Sequence, residues 1–110
     1  ASAAVELESL SPPLLGAALI GESMADMHDR GFVHGDAHTK NFIIQIENRA
    51  AFNVDVDSMG HVERPLTDRE RAGDLGVLKA SIATFEMWEA VEAGYRAASA
   101  ADVSGVFRLL

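Results

Sequence analysis

Residues 32–57 read FVHGDAHTKNFIIQIENRAAFNVDVD, and this stretch decides the fold. It contains two runs rich in branched and aromatic residues, Phe42–Ile46 and Ala51–Val56, which are typical of β-strands. The short segment 47–50 between them has the length of a hairpin turn. A lone hairpin is only marginally stable in water. We therefore expect this hairpin to lie against helices supplied by the flanking segments.

The segment before the hairpin predicts one long helix. Ser11 is a suitable N-cap, and the two prolines that follow it are tolerated in a first helical turn. Apolar residues then recur at helical spacing, and Gly31 is placed to end the helix. Residues 1–10 are expected to form a weakly ordered lead-in, followed by one domain over residues 11–110.

The segment after the hairpin also predicts helices. Thr67 and Glu70 match a capping box, in which two side chains satisfy backbone donors at a helix start. The apolar spacing that follows predicts one helix that bends before Trp88, and Ser99 or Asp102 would cap a last short helix. These elements together predict an α+β domain that is mainly helical and carries a small two-stranded antiparallel hairpin.

Composition excludes several classes of function. The chain has 110 residues, a net charge of −8 and no cysteine, so disulfide scaffolds, thiolate metal sites and cysteine nucleophiles are ruled out. The acidic balance argues against direct binding of nucleic acid. No apolar run approaches the ~20 residues that span a bilayer, and the first ten residues carry glutamates where a signal peptide would be positive. We expect a cytoplasmic protein that does not contact a membrane.

The polar residues of the stretch suggest a site for phosphoryl transfer. Asp36 and Asn41 lie five residues apart on one loop, and Asp55 follows Asn41 by 14 residues, near the end of the second strand. A hairpin returns the end of its second strand to the start of its first, so Asp55 should come close to Asn41. Phosphoryl transfer needs a carboxylate to orient the attacking hydroxyl, and oxygen ligands to hold magnesium on the nucleotide phosphates.

Two segments carry a resemblance to a known superfamily. MHDRGFVHGDAHTKNFII, residues 27–44, resembles the helix, catalytic loop and following strand in the C-terminal lobe of protein-kinase-like enzymes. The most similar branches are the RIO kinases, the aminoglycoside phosphotransferases and the kinase subunit of the KEOPS tRNA-modification complex. The last is favoured because TDRERAGDLGVLKASI, residues 67–82, resembles its pattern. The resemblance covers residues 14–98.

The resemblance implies a kinase-like phosphotransferase or ATPase that uses Mg²⁺ and ATP, with a Ser/Thr protein kinase as its nearest type. Asp36 matches the catalytic aspartate of the family, and Asn41 matches its magnesium-binding asparagine. Asp55 matches the aspartate that opens the second metal motif. Lys40 is placed to face the transferred phosphate. The nucleotide and the metal would therefore be held by Asn41 and Asp55.

Two further residues are implied as supports of the loop. His34 matches the histidine that fixes the catalytic loop, and Asp74 matches a buried helix aspartate that accepts hydrogen bonds from the loop backbone. The sequence departs from the family at Ala37, where leucine is usual, and at Asp55–Asp57, where Asp-Phe-Gly is usual. Asp74 could also be an ordinary exposed acid, but its apolar neighbours favour burial.

No glycine-rich loop and no strand lysine precede the first predicted helix; Lys40 and Lys79 are the only lysines. The resemblance therefore implies a C-terminal lobe without its N-terminal lobe. Such a lobe would leave apolar residues near Phe32, Phe42 and Ile44 uncovered, which predicts self-association or a protein partner. The alternative function is a non-catalytic interaction module in a complex of the tRNA-modification type.

A metallohydrolase is a remote alternative. His34, Asp36 and His38 spell His-x-Asp-x-His and could bind zinc or iron, with His28 or His61 as a further ligand. The motif lacks a supporting context, whereas the kinase interpretation also explains Asn41 and Asp55. His28 is otherwise expected on the surface of the first helix, near its C-terminal end, where a positive charge suits the helix dipole.

Overall fold

A computed structural model of the chain describes residues 10–54 and 57–110. The predicted lead-in, apart from Leu10, and the predicted site residue Asp55 lie outside the described residues. The α+β class is confirmed. The helices are α1 (Pro12–Asp29), α2 (Asp68–Ser81), α3 (Phe85–Ala98) and α4 (Ser104–Arg108), and the strands are β1 (Phe32–Val33), β2 (Phe42–Gln45), β3 (Ala50–Asn53) and β4 (Gly60–His61). A short 3₁₀ turn (Thr39–Asn41) precedes β2.

Helix α1 has the predicted bounds. Ser11 is its N-cap residue, although the serine side chain makes no capping hydrogen bond and the Ser11 carbonyl accepts from Leu15 N at 2.7 Å. Gly31, with φ +88°, follows the last turn as predicted. None of the described helices is long and apolar enough to cross a membrane.

The core is built on close packing between α1 and α3. Each helix presents a glycine to the backbone of the other: a Cβ atom at Gly21 would collide with the carbonyl of Val91, and one at Gly94 would collide with the carbonyl of Ala18. Small residues at these positions let the two backbones approach closely. Larger apolar side chains then close the core around the contact. They are Met24, Leu75, Leu78, Trp88, Tyr95 and Val106.

The predicted hairpin is present as β2 and β3, which pair antiparallel with Phe42 opposite Asn53 and Gln45 opposite Ala50. One face of the hairpin lies on α1. There the Ile44 side chain packs over Gly16, with its Cδ1 atom 3.2 Å from the place that a Cβ at residue 16 would occupy. A second pair, β1 with β4, was not predicted. Strands of two residues are too short to leave a periodic pattern in the sequence.

Helix α2 begins with the predicted capping box, in which Thr67 Oγ1 accepts from Glu70 N at 3.1 Å and Glu70 Oε1 accepts from Thr67 N at 2.9 Å. The prediction of one bent helix beyond it is wrong. The chain becomes extended at Ile82 (ψ 131°), and Thr84 starts α3 by accepting from Met87 N at 3.1 Å. Residues 68–98 therefore form two separate helices, the second capped by Thr84, and not one bent helix. The apolar positions shift before Trp88 because they belong to two different helices.

We expect Gly94→Ala to destabilise the fold by about 1–3 kcal/mol, because the added methyl group would force α3 away from the Ala18 carbonyl. Gly73→Ala is the matched control: Gly73 is an exposed glycine of α2, and apart from the backbone of its own helix a Cβ there would meet no atom of the described residues within 4 Å. The control should gain up to ~1 kcal/mol from helix propensity. Urea unfolding of both variants measures the difference, and equal effects would contradict the close-packing argument.

Candidate functional site

The loop that precedes the hairpin turns at Gly35. Its φ is +88°, a region that side chains other than glycine rarely adopt, and a Cβ there would lie 2.5 Å from the carbonyl oxygen of Ser58. The segment that follows β3 therefore packs directly on the loop. The glycine of the predicted motif is required by backbone conformation and by the lack of space.

Asp36 and Asn41 are brought together. Asn41 is buried, and its Nδ2 donates to the Asp36 carbonyl at 2.6 Å and approaches Asp36 Oδ2 at 3.4 Å. A carbonyl oxygen can only accept, so the atom of the Asn41 amide that faces it must be the NH₂ group. The other atom of the amide is therefore the oxygen, Oδ1. The Asp36 side chain is exposed. The arrangement presents one carboxylate and one amide oxygen from the same loop.

The 3₁₀ turn closes the loop between these two residues. Asn41 N donates to the His38 carbonyl at 2.8 Å, and His38 Nδ1 accepts from Lys40 N at 3.2 Å. The Lys40 side chain is exposed. Thr39 N donates to Ser81 Oγ at 3.0 Å, which ties the end of the loop to the last residue of α2.

The predicted return of the second strand toward Asn41 is present as far as the described residues go. Phe42 pairs with Asn53, and Val54 N donates to the Asn41 carbonyl at 2.9 Å. The hairpin thus carries the chain back to Asn41 one residue before Asp55. Asp55 itself lies outside the described residues, so its predicted part in the metal site stays a prediction.

His34 is fully buried beneath the loop. Its Nδ1 accepts from Asp36 N at 3.2 Å, and its ring stacks on Phe42 with 5.9 Å between centroids. Its Nε2 is buried and has no hydrogen-bond partner among the described residues. The position suits the predicted role of His34 in fixing the loop, because its ring holds the backbone of Asp36.

Asp74 is buried, with 4% of its surface exposed, and it binds the loop backbone. Its Oδ2 accepts from His34 N at 2.7 Å, and its Oδ1 accepts from Gly35 N at 3.0 Å. Burial opposes the charged carboxylate, but these bonds and one from His28 outweigh it and hold the pKa of Asp74 below its ordinary value of 3.8. The predicted burial and backbone contact of Asp74 are therefore present.

The expectation for His28 is wrong: the residue is fully buried rather than on the helix surface. Its Nε2 lies 2.7 Å from Asp74 Oδ2, and its Nδ1 lies 2.6 Å from the Tyr95 hydroxyl. Sequence reasoning missed both His28 and Tyr95 as parts of the site. The available signal was helical spacing, since His28 follows Met24 by four residues and so shares its core-facing side.

The described residues give no support to the metallohydrolase alternative, which needs the histidines and Asp36 to surround one metal ion. In the part of the chain that the structure describes, no three His, Asp or Glu side chains are grouped to hold a metal ion. Both ring nitrogens of His28 are engaged by Asp74 and Tyr95. His61 lies elsewhere, with its ring 4.5 Å from that of Phe32 and its Nε2 3.2 Å from the Arg30 carbonyl.

Asp74→Asn should lower the free energy of unfolding by about 1–3 kcal/mol at pH 7, because the amide NH₂ group would face a hydrogen-bond donor. The folded-state pKa of Asp74 is depressed, so its contribution is present above 3.8 and is lost as the pH falls through the folded-state value. The difference between wild type and variant should therefore shrink at pH 3.

Urea titrations at pH 7 and pH 3 measure this difference. Asp26→Asn is the control, because Asp26 has an exposed side chain that forms a surface ion pair with Arg30 on the next turn of α1, and its loss should cost under about 1 kcal/mol. A difference for Asp74→Asn that is the same at both pH values would show that the carboxylate charge does not matter to the fold.

Comparison with known proteins gives no family for this chain. No protein-family model matches the sequence, and no curated protein matches it. The kinase-like relationship therefore stays a prediction from the residues quoted above. The structure itself describes a loop with an exposed carboxylate, an oriented amide and a buried carboxylate that holds the loop backbone.

Proposed function

We propose that this chain is a kinase-like phosphotransferase or ATPase domain that acts on Mg-ATP. The observation that carries the proposal is the bonded pair of Asp36 and Asn41 on a loop whose backbone is held by Asp74. A phosphoryl-transfer site works mainly by positioning and charge stabilisation. A loop held at Gly35 by Asp74 and at Thr39 by Ser81 suits that demand.

In the proposed reaction Asp36 orients the attacking group. Its exposed carboxylate accepts the proton of a substrate hydroxyl, or of water, as that oxygen bonds to the γ-phosphorus of ATP. The bond between the γ-phosphorus and the bridging oxygen breaks, and ADP leaves with the electron pair. The Lys40 ammonium is also exposed, and in this proposal it offsets the negative charge of the transferred group.

The residues present fit a magnesium ion. Asn41 Nδ2 is committed to the Asp36 carbonyl, which leaves the amide oxygen as a hard, neutral ligand of the kind that magnesium accepts. Asp55, which follows the strand that returns to Asn41, supplies the second oxygen ligand in this proposal. When bound, magnesium would neutralise charge on the nucleotide phosphates. The resemblance also implies a glycine-rich loop and a lysine that contact the phosphates, and residues 1–110 do not supply them. We place the proposed reaction in the cytoplasm.

Nucleotide titration with and without magnesium tests the site. Wild type should bind ATP in a magnesium-dependent way, and Asp55→Ala should abolish that binding with little change in the thermal midpoint. Asp36→Asn should keep binding but lose phosphoryl transfer or ATP hydrolysis by about 100-fold or more, because the proton acceptor is gone. Glu63→Gln, an exposed acid after β4, is the control. Equal binding by wild type and Asp55→Ala would remove the metal site from the proposal.

A second candidate, a protein-binding module without catalysis, is favoured by the outer face of the hairpin. Ile43 and Phe52 are paired directly across the strands, and they are 52% and 50% exposed. Val54 follows on the same side and is also exposed. The predicted uncovered residues were partly misplaced, because Phe42 is buried; the alternation of the strand turns its neighbour Ile43 outward instead.

The occupant proposed for this face is a different protein with an apolar, uncharged or basic surface. Two copies of a chain with net charge −8 repel one another, so self-association through the hairpin is disfavoured at low salt. The resemblance to the KEOPS kinase suggests a component of a tRNA-modification complex as such a partner. In this proposal the exposed side chains of Ile43, Phe52 and Val54 supply the contact.

Sedimentation velocity at several protein and salt concentrations tests the charge argument. At low salt the chain should be monomeric, and any association that appears at high salt should be removed by Ile43→Ser with Phe52→Ser. The control is Val77→Ser, an exposed apolar residue on α2. A dimer at low salt that survives the double substitution would exclude the hairpin face as the contact.

A further inference from the structure

A buried chain of hydrogen bonds connects α3 to the candidate catalytic loop. Arg71 Nη1 donates to the Tyr95 hydroxyl at 3.0 Å, and that hydroxyl lies 2.6 Å from His28 Nδ1. His28 Nε2 lies 2.7 Å from Asp74 Oδ2, the same oxygen that accepts from His34 N at 2.7 Å. Four side chains from three helices therefore lie in series behind the loop.

The protons in this chain can be assigned from chemistry. Asp74 is an acceptor, because it receives two backbone N–H groups, so His28 Nε2 must carry the proton that it shares with Asp74. Burial, the largest effect, raises the pKa of Tyr95 to about 12, so the phenol keeps its proton at neutral pH. Arg71 has donors only. With Arg71 donating to the Tyr95 oxygen, His28 Nδ1 is the acceptor within reach of the Tyr95 proton among the described residues.

Arg71 is itself held in place from the other side. Its Nη2 donates to Asp29 Oδ1 at 3.0 Å, and the Asp29 carboxylate also accepts from Ser99 Oγ at 2.7 Å and from Ala100 N at 2.8 Å. The guanidinium is therefore held with Nη1 directed at the Tyr95 oxygen.

We propose that Tyr95, oriented by Arg71, is a positioning residue for the catalytic loop: Asp74 takes the Nε2 proton of His28, the Tyr95 hydroxyl occupies the Nδ1 lone pair, and the neutral ring held in this way orients Asp74 to hold the loop backbone. The inference rests on the proposed function, because it gives Tyr95 a role in the reaction of Asp36. The opposite tautomer would place the Nε2 lone pair against the Asp74 carboxylate. The carboxylate would then rotate away from Gly35 N, the residue next to Asp36.

Tyr95→Phe separates this role from packing. The ring keeps its edge contact with Phe107, 5.7 Å between centroids, and its contact with His28 at 5.6 Å, and only the hydroxyl is lost. His28 Nδ1 and Arg71 Nη1 each lose a partner in the core. The matched control is Glu92→Gln, which removes an ionised group from α3 but only from its surface pair with Arg96.

The experiment uses the whole chain and two NMR readouts that need no nucleotide. Ring ¹⁵N spectra of wild type should show His28 protonated on Nε2 alone, and Tyr95→Phe should alter that pattern. The amide of Gly35 should exchange about tenfold faster in Tyr95→Phe, measured relative to the amide of Met24, which lies in the core of α1 and reports global opening. Glu92→Gln should change neither.

Two results would overturn the proposal: a wild-type His28 with a proton on Nδ1, or a ratio of Gly35 to Met24 exchange that is unchanged in Tyr95→Phe. The wild-type ring spectrum needs no variant, so the proposal can fail even if Tyr95→Phe does not fold. A third readout tests the link to catalysis: once the segments that carry the glycine-rich loop and the lysine are supplied, kcat should fall about tenfold in Tyr95→Phe with the KM for ATP unchanged. If both NMR results hold but wild type supplied with those segments neither binds nor hydrolyses Mg-ATP, the proposed function fails and the positioning of the loop by Tyr95 stands.

Discussion

A carboxylate in a protein core costs several kcal/mol unless donors surround it, and Asp74 is such a group. Its donors come from the side chain of His28 on α1 and from the backbone of His34 and Gly35. No one of these segments can move without leaving a charge or an amide unpaired. The helices and the loop are therefore fixed relative to each other by one electrostatic requirement rather than by shape alone.

The parts of the fold that could be predicted are those encoded by neighbouring residues. The capping box of Thr67 and Glu70 is complete within four residues, and Gly31 marks a helix end through its own backbone preference. The return of the hairpin to Asn41 follows from strand direction. Asp74 was assigned to the loop backbone through a family resemblance, and the bonds are present, although 39 residues separate it from Gly35.

The parts that could not be predicted depend on distant partners. His28 resembles an exposed residue near a helix end until Tyr95, 67 residues further on, is placed beside it. The pairing of β1 with β4 is likewise a product of the assembled fold, because two-residue strands carry no pattern of their own. The break before α3 was hidden since Thr84 caps a helix whose apolar residues continue the spacing of the previous one.

The two bonds that α2 makes to the loop also set a length. Asp74 and Ser81 are seven residues apart on α2, so they share one face and are separated by roughly 10 Å along the axis. One holds the loop at His34 and Gly35, and the other holds it at Thr39. The spacing of Asp74 and Ser81 along the helix therefore sets the distance that the loop residues between Gly35 and Thr39 must span. A change in the number of residues between Gly35 and Thr39 would detach one end of the loop from the helix.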